Sequence, residues 1–210
     1  MTKQKFIFDL DGTLLTCNYK ELEDDFFKSI FKEESDRFVP YIAKLLDEYE
    51  NTHKRYTDSD LSLFLRRKTN LEFTEQIIRD WVTLMENISD NIEDGVVDVL
   101  EHLKSKDYNL EVLTNWYGNS QESRLKNARI YDYFDNIHTG DIVLKPHKEA
   151  YLKAVGDTDI ERCVLIGDNL YKDYIAPRMY GLDSIFYDKK EKEGKQLVKI
   201  RHLSELKDMY

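Results

Sequence analysis

Cysteine is nearly absent: the 210 residues contain two, Cys17 and Cys163. A disulfide scaffold is thereby excluded, and two reduced thiols in a cytosolic protein are expected. Long apolar runs are missing too. The longest stretch free of Asp, Glu, Lys and Arg is Val112–Gln121, ten residues, whereas a membrane-spanning helix needs about 20 apolar residues. The opening MTKQKFIFDLDGT has neither a signal-peptide core nor a small-residue cleavage site, so a cytoplasmic protein that binds no membrane is expected. Positive charge is in deficit, with 31 Lys and Arg against 41 Asp and Glu and a net charge of −10. Such a surface repels phosphate backbones and disfavours nucleic-acid binding. It still allows a small anion in a locally positive pocket.

Glycine and proline are scarce, at eight and three residues, and unevenly placed. No glycine lies between Gly12 and Gly95, and that span has one proline, Pro40. Its apolar residues recur at helical spacing. Leu22, Phe26, Phe27 and Ile30 form one stripe, Val39, Ile42, Leu45, Leu46 and Tyr49 a second, and Ile77, Ile78, Trp81, Val82 and Met85 a third. A helical bundle over roughly Thr16–Ser89 is predicted, with these stripes as core.

The flanking sequence has a different rhythm. Short apolar runs at Lys5–Phe8, Leu110–Leu113, Cys163–Ile166 and Ser184–Tyr187 alternate with amphipathic stretches at Val96–Lys104, Gln121–Arg129 and Lys148–Val155. That alternation predicts an α/β fold, a doubly wound parallel Rossmann-like sheet with helices on both faces. The expected division is a core of residues 1–15 and 90–210 with a helical cap, 16–89, inserted after the first strand. The Lys189–Lys195 run reads as a solvated loop. Ligands in such sheets bind beyond the carboxyl ends of the strands. Three of the runs end there in Asp9 and Asp11, in Thr114 and Asn115, and in Asp168.

Asp9 and Asp11 are two apart in extended chain, so both can project into one site. Asp168 would add a third acid. Crowded carboxylates repel unless a cation intervenes, and Mg²⁺, a hard ion with oxygen ligands, suits a site beside a phosphate. Gly12 permits a sharp turn or close backbone approach.

These motifs resemble those of the haloacid dehalogenase-like (HAD) hydrolases, in particular the phosphoglycolate phosphatase and β-phosphoglucomutase-like group with a helical C1-type cap. Asp9 and Asp11 match DxDGT, Thr114 ends the second motif LEVLTN, Lys145 in LKPHKEAY matches the third, and Gly167-Asp168-Asn169 followed by Asp173 matches the fourth. The resemblance implies a Mg²⁺-dependent phosphatase acting on a small phosphorylated metabolite through an aspartyl-phosphate. Asp9 would be the nucleophile and Asp11 the general acid and base, with its main-chain carbonyl on the metal. Thr114 and Lys145 would complete the catalytic set. Phosphate would be bound by Asp9, Gly12, Thr114, Asn115 and Lys145, and metal by Asp9, Asp11, Asp168 and Asp173. Asn169 stands where many relatives have serine and would donate to a metal-bound water or phosphate.

The match departs in places. Thr16-Cys17 replaces a frequent Asp-Ser, and Cys17 reads as a small buried thiol at a hinge. Asp11 disfavours a dehalogenase, since those relatives lack the second acid. A phosphomutase of the β-phosphoglucomutase type would carry a cap histidine soon after the first motif, whereas the first histidine here is His53. Lys20, Lys28 and Lys32 read as surface charges rather than the Schiff-base lysine of a phosphonatase. His53, Lys54, Arg55, Arg66 and Arg67 are candidates for touching the leaving group. The alternatives to a phosphatase are the mutase and a non-catalytic phospho-ligand-binding protein, in a monomer or homodimer.

Overall fold

A computed structural model describes residues 2–191 and 196–210. Its elements follow the chain as β1 (Lys5–Phe8), β2 (Leu15–Thr16), α1 (Tyr19–Phe31), α2 (Ile42–Thr52), α3 (Asp58–Thr69), α4 (Glu75–Glu86), β3 (Asn91–Ile92), α5 (Val96–Ser105), β4 (Asn109–Leu113), α6 (Gly118–Asn127), β5 (Asn136–His138), α7 (Lys148–Val155), β6 (Cys163–Gly167), α8 (Ala176–Met179), β7 (Asp183–Tyr187), β8 (Lys199–Ile200) and α9 (Leu206–Met209). A π-helical turn, Leu170–Ile175, leads into α8.

Among the described residues the main sheet has six parallel strands in the order β5-β4-β1-β6-β7-β8. Alternation along β1 sets up its two faces. Phe6 and Phe8 pack with α5, α6 and α9 through Val99, Leu103, Leu125 and Leu206. Ile7 points the other way, with Leu165, onto Ala150, Tyr151 and Ala154 of α7. Burial on both faces is why β1 and β6 read as unbroken apolar runs.

The helices α1–α4 lie between β2 and β3, which pair as a two-stranded antiparallel ribbon. Their core is aromatic. Phe27 meets Phe26, Phe38, Phe73 and Trp81 at centroid distances of 5.0, 5.2, 5.9 and 4.9 Å. Thr57 and Thr74 cap α3 and α4 by accepting from the amides of Asp60 and Ile77. Pro40 sits in a short 3-10 turn, Val39–Tyr41, so the second stripe begins there and continues in α2.

The insert is docked on the sheet layer. Tyr56 donates its amide to the Gly140 carbonyl at 2.8 Å and Leu144 donates to Lys54 at 2.9 Å. Lys172 reaches across to Asp47 and Glu50, each at 2.6 Å. Trp116, from the loop after β4, packs on Trp81 and Tyr56 at 4.8 and 5.2 Å.

Some expectations change. Ile30 is exposed, on the edge of its stripe rather than in the core. Cys17 is half-buried, packed against the helical core beside β2. The short strands β5 and β8 carry no long apolar run and escape periodicity. Residues 192–195 of the Lys189–Lys195 run lie outside the described residues.

Phe27 has no exposure and meets five rings. Phe27→Ala is expected to destabilise the protein by about 3–5 kcal/mol, read as a lower midpoint in urea unfolding.

Candidate active site

The site forms where β1, β4 and β6 end. Asp9 follows β1 and its amide donates to the Ile166 carbonyl at 2.9 Å. Lys145 is buried between two acids, its Nζ 2.7 Å from Asp9 Oδ1 and 2.7 Å from Asp173 Oδ1. Oxygens of Asp9, Asp168 and Asp173 lie within 4.8 Å of one another. Two glycines make this closeness feasible. A Cβ on Gly12, whose φ is +82°, would sit 2.4 Å from Asp168 Oδ2, and one on Gly167 would sit 2.5 Å from the Asp173 side chain.

The electrostatics are those of a crowded acid cluster. Burial pushes the Asp9 carboxyl well above its ordinary range, Lys145 pulls against it, and Asp173 and Asp168 add to the push. Desolvation in the cavity and then the Asp173 charge raise Asp168 to about 6. Burial alone would lower Lys145, but Asp173 and Asp9 reverse that and hold its ammonium charged. Three carboxylates against one ammonium leave two formal negative charges, which a divalent cation with oxygen ligands would offset.

Asp11 is elsewhere engaged. Arg124 Nη2 donates to Asp11 Oδ1 at 2.6 Å, Gln121 Nε2 donates to Oδ2 at 3.0 Å, and the Tyr19 hydroxyl donates to Oδ1. Arg124 also grips Asp90 with two bonds at 2.8 and 2.9 Å, tying Asp11 to the return strand of the insert. Burial would raise Asp11, but Arg124 and these donors outweigh it and hold the carboxyl below its usual range. Its carboxylate therefore stands outside the Asp9, Asp168 and Asp173 group, and only its main chain remains for a metal.

Thr114 is buried beside this cluster, donating to the Asn115 carbonyl at 3.0 Å and accepting from Gln121 at 2.8 Å. Asn115 lines the cavity and is also bonded to the Lys145 main chain. Its side chain accepts from the Lys145 amide at 2.9 Å and donates to the Lys145 carbonyl at 3.1 Å, so it fixes the lysine's backbone. The Gly12 amide is used within its own turn, on Leu15; what Gly12 supplies is room. The Asn169 side-chain oxygen caps the following turn by accepting from Tyr171 and Lys172.

Above the acids lies a cavity of about 310 Å³. None of His53, Lys54, Arg55, Arg66 or Arg67 lines it. His53 stacks on Tyr49 at 4.0 Å, and Arg66 and Arg67 occupy the last turn of α3, where basic residues complement the helix dipole. The insert's contribution is instead Tyr19, Glu23, Leu46, Glu50, Trp81 and Met85, with Trp116 and Arg124 from the sheet layer. One signal was available for the acid. Tyr19, Glu23 and Phe27 recur every four residues, which puts a carboxyl on the buried face of α1.

Residues 6–187 match the family described as haloacid dehalogenase-like hydrolase. The pyrophosphatase PpaX of Bacillus mycoides (strain KBAB4) is 24% identical over 190 residues, covering 85% of this chain and 80% of that protein. The putative HAD-hydrolase YfnB of Bacillus subtilis, solved with magnesium, superposes with a TM-score of 0.72 at 19% identity over 100% of this chain and 99% of its own. An L-2-haloacid dehalogenase from Xanthobacter autotrophicus with chloropropionic acid covalently bound gives 0.74 at 14% identity over 99% and 98%.

Glu23 provides a pH test. Burial raises its pKa to about 7 from the ordinary 4.5, so the folded state keeps a proton that the unfolded chain releases. Its contribution to stability is therefore lost as pH rises from the unfolded value through 7, by an amount on the order of 3 kcal/mol. Glu23→Gln should thus gain stability relative to wild type between pH 4 and 8, read by urea unfolding across that range.

Proposed function

The chain belongs to the haloacid dehalogenase-like hydrolases, and on that premise we propose that it is a Mg²⁺-dependent phosphatase acting on a small phosphorylated metabolite. The observation that carries this reading is Lys145, 2.7 Å from both Asp9 and Asp173, with Asp168 within reach of both acids at the floor of one cavity. Residues 16–89 act as the cap over a core formed by 1–15 and 90–210.

Asp9 attacks phosphorus, forming an Asp9 O–P bond as the ester P–O bond breaks. Asp11 gives a proton to the leaving oxygen. It then takes one from the water that attacks the aspartyl-phosphate, releasing inorganic phosphate and restoring Asp9. For the acid step Asp11 must turn away from Arg124 and Tyr19; freed of Arg124, burial raises its pKa and favours the protonated form. Lys145 offsets the charge on Asp9 and the phosphoryl oxygens. Thr114 donates to a phosphoryl oxygen, and Asn115 keeps Lys145 in place. Asp9, Asp168 and Asp173, with the Asp11 carbonyl, would hold Mg²⁺. When bound, that ion supplies charge neutralisation for the phosphoryl group and the acids.

The cavity argues for an organic leaving group over the diphosphate implied by the name of the Bacillus relative. A second phosphate would lie among Trp81, Met85, Leu46 and the Glu23 carboxyl. The cations nearest it are already paired, Arg124 with Asp11 and Asp90, and Lys172 with Asp47 and Glu50. The mutase reading loses support because His53 is stacked on Tyr49 outside the cavity. A non-catalytic binding protein would have no need of both a nucleophile and an acid/base residue.

Phosphate release from a panel of phosphorylated metabolites should require Mg²⁺, cease with EDTA, and fall at least ~1,000-fold in Asp9→Asn. Full-rate hydrolysis by that variant would remove Asp9 as nucleophile. Mg²⁺ should also raise the wild-type Tm, by about 5–10 °C at 100 times its Kd. Asp168→Asn should lose most of that shift in the same thermal-melt titration; an undiminished shift would remove Asp168 from the metal site.

A further inference from the structure

The cap side of the cavity holds polar groups that the proposed chemistry does not use. Glu23 lines the cavity at 9% exposure. Burial dominates its surroundings, and the Trp81 indole is the neighbour that acts on it, although the Trp81 N–H completes no hydrogen bond. Apart from Asp168, which belongs to the proposed metal cluster, the other acids around the cavity are matched. Asp9 and Asp173 face Lys145, Asp11 faces Arg124, and Glu50 takes Lys172 and the Tyr56 hydroxyl. Among the described residues Glu23 thus stands as a buried carboxyl with no facing cation. Its pKa near 7 is a consequence of that isolation.

Two donors in the cavity wall are unpaired among the described residues. The Trp81 and Trp116 indole N–H groups are buried, line the same cavity and lack acceptors. Trp116 is held with φ at +84°, a costly conformation for a bulky residue. The Gly140 amide donates to its carbonyl at 2.8 Å, and a Cβ on Gly140 would come within 2.7 Å of the Trp116 nitrogen. The remaining cap wall is apolar, with Ile42, Leu46 and Met85. Buried polar groups without partners are costly, so this wall is complementary to a ligand that brings a donor for Glu23 into aromatic surroundings and can offer acceptors to the indoles.

We propose that Glu23 determines specificity by accepting a hydrogen bond from a nitrogen donor on the leaving group. The substrate class, resting on the phosphatase reading above, is then a phosphomonoester of a compact nitrogen-bearing alcohol or nucleoside. A polyhydroxy sugar would bring more hydroxyls than the Glu23 carboxyl and the two indole N–H groups can pair, leaving some unpaired. An ammonium or a planar N–H ring would instead meet Glu23 in a wall that includes Trp81 and Trp116.

The test measures kcat/KM with Mg²⁺ for phosphoethanolamine, cytidine 5′-monophosphate, glucose 6-phosphate and p-nitrophenyl phosphate. Wild type, Glu23→Gln and Glu23→Leu are compared, each ester's value being divided by that for p-nitrophenyl phosphate in the same preparation, which controls for folding. The expected result is that wild type favours a nitrogen-bearing ester over glucose 6-phosphate at least tenfold, and that Glu23→Leu erases this preference. Partial rescue by Glu23→Gln identifies a neutral N–H donor, because the amide carbonyl still accepts; no rescue identifies an ammonium. Calorimetric affinities of Asp9→Asn and Asp9→Asn/Glu23→Leu for the same esters read the contact without turnover. Turnover with neither ratio nor affinity changed overturns the role of Glu23 and leaves the phosphatase reading standing. Absent turnover with affinity for a nitrogen-bearing ester weakened at least tenfold upholds Glu23 and overturns the phosphatase reading.

Discussion

A lysine ammonium enclosed by protein is stable only if the charges facing it are placed with care. Lys145 meets that condition through Asp9 and Asp173, each at 2.7 Å. Removing Lys145 would leave both carboxylates buried without a facing cation, the costly case for such pairs. Much of the surrounding structure serves this arrangement. Asn115 grips the Lys145 peptide on both sides, Gly167 leaves space for the Asp173 side chain and Gly12 leaves space for Asp168. The parallel register of β1 with β4 and β6 brings the three strand ends side by side.

The same cluster has more negative charge than Lys145 can balance, and the raised pKa values of Asp9 and Asp168 record the excess. A site that is strained without a cation is one that binds a cation well. Asp11 is kept out of that excess by Arg124, which also holds Asp90 at the neck of the insert. The proposed acid/base group is therefore linked to the position of the helical layer that covers it. Lys172, joining the fourth motif to Asp47 and Glu50 of α2, makes a second such link.

The strands β1, β4, β6 and β7 were legible because both sides of each are buried, giving apolar runs with few interruptions. The helical insert was legible from its lack of glycine and its stripes. Asp9 and Asp168 stood out as acids at strand ends, Lys145 and Asp173 were named by the family resemblance, and all four are found together. The leaving-group side was misread. Charged residues at 53–55 and 66–67 looked available, yet they stack, cap or face outward. Charge alone does not say which face of a helix points at a cavity.

The sequence by itself determined the alternation of strands and helices, the length of the insert and the acids at the strand ends, because these depend on local periodicity and turn chemistry. Tertiary structure alone decided that Asp11 pairs with Arg124, 113 residues away, that Asn115 holds the Lys145 main chain, and that Glu23 has no counter-charge among the described residues. Each of these is a contact between segments far apart in the chain, or the absence of one. No local pattern encodes which distant groups will share a buried space.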